Sequence, residues 1–303
     1  MRRPIWLTSL LLALTVQTSG LSAQTADTTD ENTPEQAQTE AQTEAQTEVP
    51  TASVPTRAER QEDALRRQLP TEQLRQLEVG DDAFLGLFLP AAQPNPLGGI
   101  LLIADRDEHA DWPELIGPAR RQLSEQGWHT LAISLPDDPA SNLFLEEAAR
   151  AEAVAATSER IDKRINAAAQ ALNAEGATTL VLLGRGEGAY WALHATGAQA
   201  SPRVEAAALM LYQTRAPAAA QNGEAETAAW LSQWSKPAYE VFAATQQGSQ
   251  ELARQRSLGA QRHGRDLYAQ LVLSKPDPSP LGQSVLIKRL QGWLEKHLPP
   301  QQP

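Results

Sequence analysis

The chain has 303 residues, a formal net charge of −11 and no cysteine. The lack of cysteine excludes disulfides, thiol chemistry and a lipid anchor attached to cysteine. Removing Arg2, Arg3 and the seven acids of residues 24–56 from the totals of 26 basic and 37 acidic residues leaves a charge of −6 for the rest. That balance argues against nucleic acid or an anionic membrane as a partner, because both attract a basic surface.

The N-terminus has the pattern of a secretory signal peptide. Arg2 and Arg3 precede an apolar run at residues 5–16, and small residues follow up to Ala23. The run is too short for a bilayer span of about 20 residues, so residues 1–23 are predicted to be a signal peptide cut after Ala23. An uncleaved anchor is the alternative. Export without cysteine favours a bacterial periplasm, with no stable insertion in the membrane after cleavage.

Residues 24–56 are of low complexity. The sequence Ala-Gln-Thr-Glu occurs three times in tandem between residues 37 and 48, and large apolar side chains are almost lacking. Such a segment cannot bury enough surface to offset the entropy of ordering it, so a disordered acidic linker is predicted.

From residue 57 onward, apolar runs of strand length alternate with helical patterns. The predicted elements, in chain order, are a charged helical stretch at 57–78 broken at Pro70, strands at 83–89 and 100–104, a helix at 115–126, a strand at 128–135, helix 143–174, strand 180–183, helix 188–196, strand 206–212, a short helix near Trp230 and Trp234, strand 238–243, helix 247–263, strand 268–273 and helix 285–297. The alternation predicts one α/β domain at residues 57–300, with a mostly parallel sheet and helices on both faces.

The sequence G-R-G-E-G at residues 184–188 lies between a predicted strand and a predicted helix. In hydrolases of the α/β class, this is the place of the nucleophile elbow, G-x-S-x-G. Gly184 and Gly188 keep the frame, but Gly186 replaces the nucleophile and Glu187 follows it. A carboxylate in the first turn of a helix is favoured by the helix dipole, so a structural role is predicted for Glu187.

The same glycines also fit the loose dinucleotide fingerprint G-x-G-x-x-G/A. That motif usually opens its fold and needs an acidic residue at the end of the next strand. Several strands precede residues 184–188 here, and no acid occurs at residues 212–214. We therefore expect no nucleotide and no other cofactor.

The other two members of a catalytic triad are also lacking where the fold would place them. The acid belongs after the strand at 238–243 and the histidine after the strand at 268–273. Residues 244–247 contain no carboxylate, and residues 274–277 contain no histidine. His263 precedes the last strand instead of following it.

An acidic loop follows the strand at 100–104, at the sheet edge where open α/β sheets bind ligands. Four carboxylates and one histidine occur within residues 105–111. Asp105, His109 and Asp111 are therefore candidates for acid–base work or for holding a hard cation. The spacing matches no known metal motif, and the alternative is a solvated loop in which Asp111 caps the next helix. Trp230 and Trp234 could line a pocket nearby.

Several short segments together carry a family resemblance. They are RQLP at 67–70, HADWP at 109–113, residues 127–136, GRGEGA at 184–189 and GWL at 292–294. In their order and spacing the chain resembles an α/β-hydrolase-fold family of unknown function found in exported gammaproteobacterial proteins. The resemblance implies the fold and the compartment, and it carries no activity.

Two functions are compatible with these features. The first is a periplasmic protein without Ser-His-Asp chemistry that binds a small molecule or an envelope protein. The second is a hydrolase with a non-standard site in the loop at residues 105–111, with or without a metal ion.

Overall fold

The computed structural model of the chain describes residues 55–139, 144–245, 247–262 and 266–299. The predicted signal peptide and nearly all of the predicted linker lie outside the described residues. The helices are α1 Arg57–Gln68, α2 Ile116–Glu125, α3 Glu147–Ala174, α4 Glu187–Thr196, α5 Gly223–Gln233, α6 Ser249–Arg262 and α7 Pro280–His297. The strands are β1 Leu74–Val79, β2 Asp82–Leu89, β3 Gly98–Ile103, β4 Trp128–Ile133, β5 Leu180–Arg185, β6 Ala208–Tyr212, β7 Ala238–Ala243 and β8 Tyr268–Leu273.

The eight strands form one sheet in the order β1-β2-β4-β3-β5-β6-β7-β8. Strand β2 runs antiparallel to both of its neighbours, and the pairs from β4 to β8 are parallel. The predicted fold class, a mostly parallel sheet with helices on both faces, is confirmed. Because the parallel strands all end on one side, the loops after β3, β5, β6, β7 and β8 lie along one edge.

Hydrophobic cores lie on the two faces of this sheet. Apolar side chains of α3, α4 and α5 pack on one face, and those of α2 and α7 pack on the other. All residues of β3 and β4 are buried, which explains why both read as apolar runs without alternation. Trp128, Trp191 and Trp293 are buried in these cores.

The prediction of a helical stretch continuing to residue 78 is wrong. Helix α1 ends at Gln68, and residues Leu74–Val79 form β1. The spacing of Leu74 and Leu77 suits a helix, but β1 pairs with β2 along its whole length through a turn at Gly80. Pairing over six residues outweighs a weak local helical preference.

The remaining boundaries differ by a few residues. Helix α7 begins at Pro280, five residues before its predicted start, because Ser279 caps it through the Gly282 amide. None of the helices among the described residues has the length and apolar character needed to cross a bilayer.

Candidate functional site

The turn between β5 and α4 has the backbone of a tight strand-to-helix elbow. Gly186 has φ +57° and ψ −121°, a conformation that glycine adopts readily and other residues only with strain. A β-carbon on Gly184 would overlap the backbone of Ala189, and one on Gly188 would overlap the carbonyl of Ile103. The three glycines therefore serve close backbone packing, and Glu187 lies in the first turn of α4 as predicted.

The space above Gly186 is filled by Asp105, which lies just beyond the end of β3. A β-carbon built on Gly186 would overlap the carboxyl group of Asp105. A serine at this position would place its side chain in the same space. The carboxylate therefore stands in the place of the side chain that Gly186 lacks.

One oxygen of Asp105 is held by two backbone amides. The N–H groups of Glu187 and Arg106 both donate to Asp105 Oδ1, each at 2.8 Å. In α/β-hydrolases the amide after the nucleophile and an amide of the loop after β3 form the oxyanion hole. Asp105 Oδ1 therefore occupies the position that the oxyanion of a bound substrate would take.

An arginine from the opposite loop pairs with this partly buried carboxylate. Arg215 Nη2 donates to Asp105 Oδ1 at 2.8 Å, and the Arg215 amide donates to the carbonyl of Gly186 at 3.1 Å. Arg215 thus joins the loop after β6 to both the elbow and the loop after β3. Nothing in the sequence near residue 215 marks this role, so sequence reasoning missed it.

Arg106 joins the same loop to α4. Its Nε donates to the carboxylate of Glu187, and its Nη1 lies 3.4 Å from Asp138. Burial raises the pKa of Glu187, and the charge and hydrogen bond of Arg106 oppose that effect. Glu187 therefore stabilises the position of Arg106 in addition to complementing the helix dipole.

Arg185 fixes the far side of the loop. It forms an ion pair with Glu108 and donates to Glu114 Oε2 at 2.7 Å. Burial lowers the pKa of Arg185, an effect that Asp105 and Tyr212 oppose. This edge is therefore a network of ion pairs, in which an arginine pairs with each of Asp105, Glu108, Glu114, Asp138 and Glu187.

The side chains of the three candidates from the acidic loop do not form one cluster. Asp105 turns to the elbow, whereas Asp111 Oδ1 accepts from Arg120 at 3.0 Å and from Arg121 at 2.8 Å. His109 Nδ1 accepts from the Asp111 amide at 3.2 Å, and burial lowers the pKa of His109. In the described part of the chain, no three His, Asp or Glu side chains are grouped to hold a metal ion.

The prediction that Asp111 caps the next helix is wrong. Helix α2 begins at Ile116 with Leu115 as its N-cap, and no side chain caps it. Residues 112–115 separate Asp111 from the start of the helix. Asp111 instead binds Arg120 and Arg121, which lie one turn inside it.

The predicted acid and histidine positions hold other residues. Ala244, Thr245 and Gln247 follow β7, and residues 274–277 follow β8 without a histidine. Gln246 and His263 lie outside the described residues.

A cavity of about 400 Å³ opens beside the elbow, between α3, α4 and α5. Its lining includes Arg106, Asp138, Tyr190, Trp191, Glu226 and Trp230. Of the two tryptophans proposed from the sequence, Trp230 lines this cavity and Trp234 does not. The positions of Tyr190 and Glu226 were missed, although Tyr190 comes four residues after Gly186.

The sequence family described as "Protein of unknown function (DUF3530)" matches the chain in two overlapping segments, residues 7–160 and 145–296. Together they span nearly the whole chain. The chain belongs to this family. Among curated proteins, none matches it.

Solved structures with a similar fold include esterases, a putative dienelactone hydrolase and an acylaminoacyl peptidase. The esterase domain of a Rhodothermus marinus protein superimposes with a TM-score of 0.53 at 11% identity, covering 74% of this chain and 98% of that one. Thermogutta terrifontis esterase 2, phosphoramylated by tabun, gives 0.56 at 11%, with 75% and 96% covered. A Pyrococcus furiosus esterase gives 0.54 at 11%, with 74% and 90% covered. At these identities the likeness shows the α/β-hydrolase fold alone.

Proposed function

We propose that this protein has lost ester hydrolysis and binds a small ligand in the cavity beside its elbow. The observation that carries the proposal is the position of the Asp105 carboxylate, which takes both the space of the nucleophile side chain and the oxyanion hole. Acyl transfer needs a nucleophile and free donors at the developing oxyanion. At the elbow of this protein glycine takes the place of the nucleophile, and the two amide donors already bind a carboxylate oxygen of Asp105.

The alternative of a hydrolase in the acidic loop has less support. Asp105 and Asp111 are bound to separate arginines, and the ring nitrogen of His109 that faces Asp111 accepts from its backbone. A general base must reach the proton that it removes, and these groups are held by other partners.

A fluorophosphonate probe and a panel of short-chain esters test the loss of hydrolysis. Thermogutta esterase 2 is phosphoramylated by tabun, whereas we expect this protein to remain unlabelled and to hydrolyse no ester above the rate of the heat-denatured sample. Stoichiometric labelling of the folded protein would overturn the proposal. So would ester turnover that Asp105→Asn abolishes.

A thermal-shift screen with small metabolites tests binding. A ligand at 100 times its Kd should add about 2.7 kcal/mol to the free energy of unfolding. The shift should be lost in Trp230→Leu, which removes an aromatic wall of the cavity. Ligands that shift both proteins equally would place binding elsewhere.

We further propose that the protein acts in the periplasm after cleavage behind Ala23. N-terminal sequencing of the protein released by osmotic shock should begin at Gln24. A retained N-terminus in the membrane fraction would instead indicate an anchor.

A further inference from the structure

The cavity beside the elbow has aromatic walls set at steep angles to one another. The Tyr190 and Trp230 ring centroids lie 5.0 Å apart with the planes inclined by 58°, and Tyr190 and Trp191 lie 5.2 Å apart at 89°. His194 stacks on Tyr190 at 21°, so the rings of these four residues form one aromatic cluster that lines the cavity. Aromatic faces attract cations, and tryptophan does so most strongly.

Negative charge exceeds positive charge around this cavity. Asp138 and Glu226 line it, and Glu187 and Asp162 are bonded to its lining residues Arg106 and His194. Among the described residues that line the cavity, the two carboxylates of Asp138 and Glu226 outnumber the one guanidinium, that of Arg106. Asp105 and Arg215 pair with each other and leave the balance unchanged.

The charge of Glu226 is not cancelled by its hydrogen bond. Tyr190 donates its hydroxyl to Glu226 Oε2 at 2.8 Å. Burial raises the pKa of Tyr190, and the hydrogen bond and charge of Glu226 raise it further. The phenol therefore stays neutral, so its bond to Glu226 brings no counter-charge to the carboxylate beside the aromatic walls.

We propose that the cavity binds a quaternary ammonium compound. The inference rests on the proposed ligand-binding function. A quaternary nitrogen has no N–H groups to satisfy, which suits a cavity whose carboxylates Glu226 and Asp138 already bind Tyr190 and Arg106. Its positive charge meets the carboxylate excess and the ring faces, and about 400 Å³ accommodates a small molecule.

Choline and its uncharged isostere 3,3-dimethylbutan-1-ol test the proposal by isothermal titration of the purified protein, with tryptophan fluorescence as a second readout. We expect saturable binding of choline and binding of the isostere weaker by about tenfold or more, since desolvated cation–π contacts and a nearby carboxylate each favour the charge. Trp230→Leu and Glu226→Gln should each weaken choline binding by about tenfold. Glutamine at 226 still accepts from Tyr190, so that variant removes charge and little else.

Glu224→Gln is the matched control, because it removes a carboxylate from the same helix that does not line this cavity. Its choline affinity should equal that of the native protein. A circular dichroism melt of each variant shows that it is folded.

The other outcomes separate the two proposals. Equal binding of choline and its isostere would overturn the charge preference, as would choline binding unchanged in both Trp230→Leu and Glu226→Gln. Binding in this cavity of only neutral or anionic compounds would overturn the ammonium proposal and leave ligand binding standing. Failure of every compound to bind would overturn both.

Discussion

Asp105 and Gly186 are complementary in space: the carboxyl group of the first fills the volume that a side chain on the second would need. The two residues are 81 positions apart in the chain, at the ends of adjacent parallel strands β3 and β5. The same carboxylate accepts from the Glu187 and Arg106 amides and from Arg215. The lack of a side chain at Gly186 and the binding of the two amides by Asp105 are thus one arrangement.

This complementarity predicts strong coupling between the two positions. Gly186→Ala should lower the free energy of unfolding by about 2–4 kcal/mol, through strain at positive φ and overlap with Asp105. Asp105→Ala should cost about 2–3 kcal/mol, because it removes charge-assisted hydrogen bonds. The double variant should lose about 1–3 kcal/mol less than the sum of the two single losses, since alanine at 105 removes the overlapping atoms. Urea denaturation of all four proteins measures this cycle.

Gly80→Ala provides the control for backbone strain. Gly80 has φ +59°, close to that of Gly186, but a β-carbon there would meet nothing within 4 Å. It should cost about 1–2 kcal/mol and add to Asp105→Ala without coupling. Additive losses at Gly186 as well would show that Asp105 does not confine the elbow.

The elbow could be predicted from the sequence because its requirements are local. A buried strand, a turn with three glycines at alternate positions and a helix start occupy adjacent residues, so their geometry follows from backbone sterics. The strands at 238–243 and 268–273 were likewise placed to the residue. Antiparallel β1 was missed, because its pairing with β2 decides its structure and Leu74 and Leu77 suit either form.

The partners of the acidic loop could not be predicted in the same way. The sequence places Asp105, His109 and Asp111 within seven residues, which favours one cluster. The side chains of Asp105 and Asp111 diverge because they bind different arginines: Arg215, 110 positions away, binds Asp105, and Arg120 on α2, nine positions away, binds Asp111. Ion pairs between segments depend on how the helices pack, and residue spacing carries no information on that.

The pair of Asp82 with α3 predicts loss of stability in acid. Partial burial raises the pKa of Asp82, but hydrogen bonds from Arg164 at 2.6 Å and from Arg160 at 2.5 Å, together with their charges, hold that pKa well below its usual range. A lowered carboxyl pKa stabilises the fold above the unfolded value of about 3.9, and that contribution is lost as the pH falls below it.

Asp82→Asn should therefore cost about 1–3 kcal/mol at pH 7, and the gap to the native protein should close as the pH falls below about 4. Denaturation at several pH values measures the gap. Asp81→Asn, at an exposed neighbour, controls for the loss of one negative charge. A gap that stays constant down to strongly acidic pH would contradict the proposed ion pair.

His109 should be neutral at pH 7. Burial lowers its pKa from the usual 6.5, an effect that Asp111 opposes, and its Nδ1 accepts from the Asp111 amide. A nuclear magnetic resonance titration should give a midpoint below 6.5, with the signal assigned through His109→Gln. Because the unfolded chain binds the proton more readily, this residue should lower stability as the pH falls below about 6.5. A midpoint above 6.5 would show that the charge of Asp111 outweighs burial.

The buried pair of Glu240 and Arg256 predicts a stability effect at the other end of the sheet. Glu240 on β7 is 0% exposed; it forms an ion pair with Arg256 and accepts from Tyr268 at 2.7 Å and from Thr214 at 3.1 Å. Arg256→Met should lower the free energy of unfolding by about 3–5 kcal/mol, because it leaves a carboxylate buried without a counter-charge.

Adding Glu240→Leu to Arg256→Met should recover most of that loss, since the unpaired charge is then gone. Arg254→Met on the same helix breaks an exposed pair with Glu251 and should lower stability far less than Arg256→Met. Urea denaturation of the four proteins tests the ranking, and equal losses for Arg256→Met and Arg254→Met would show that Glu240 does not depend on Arg256.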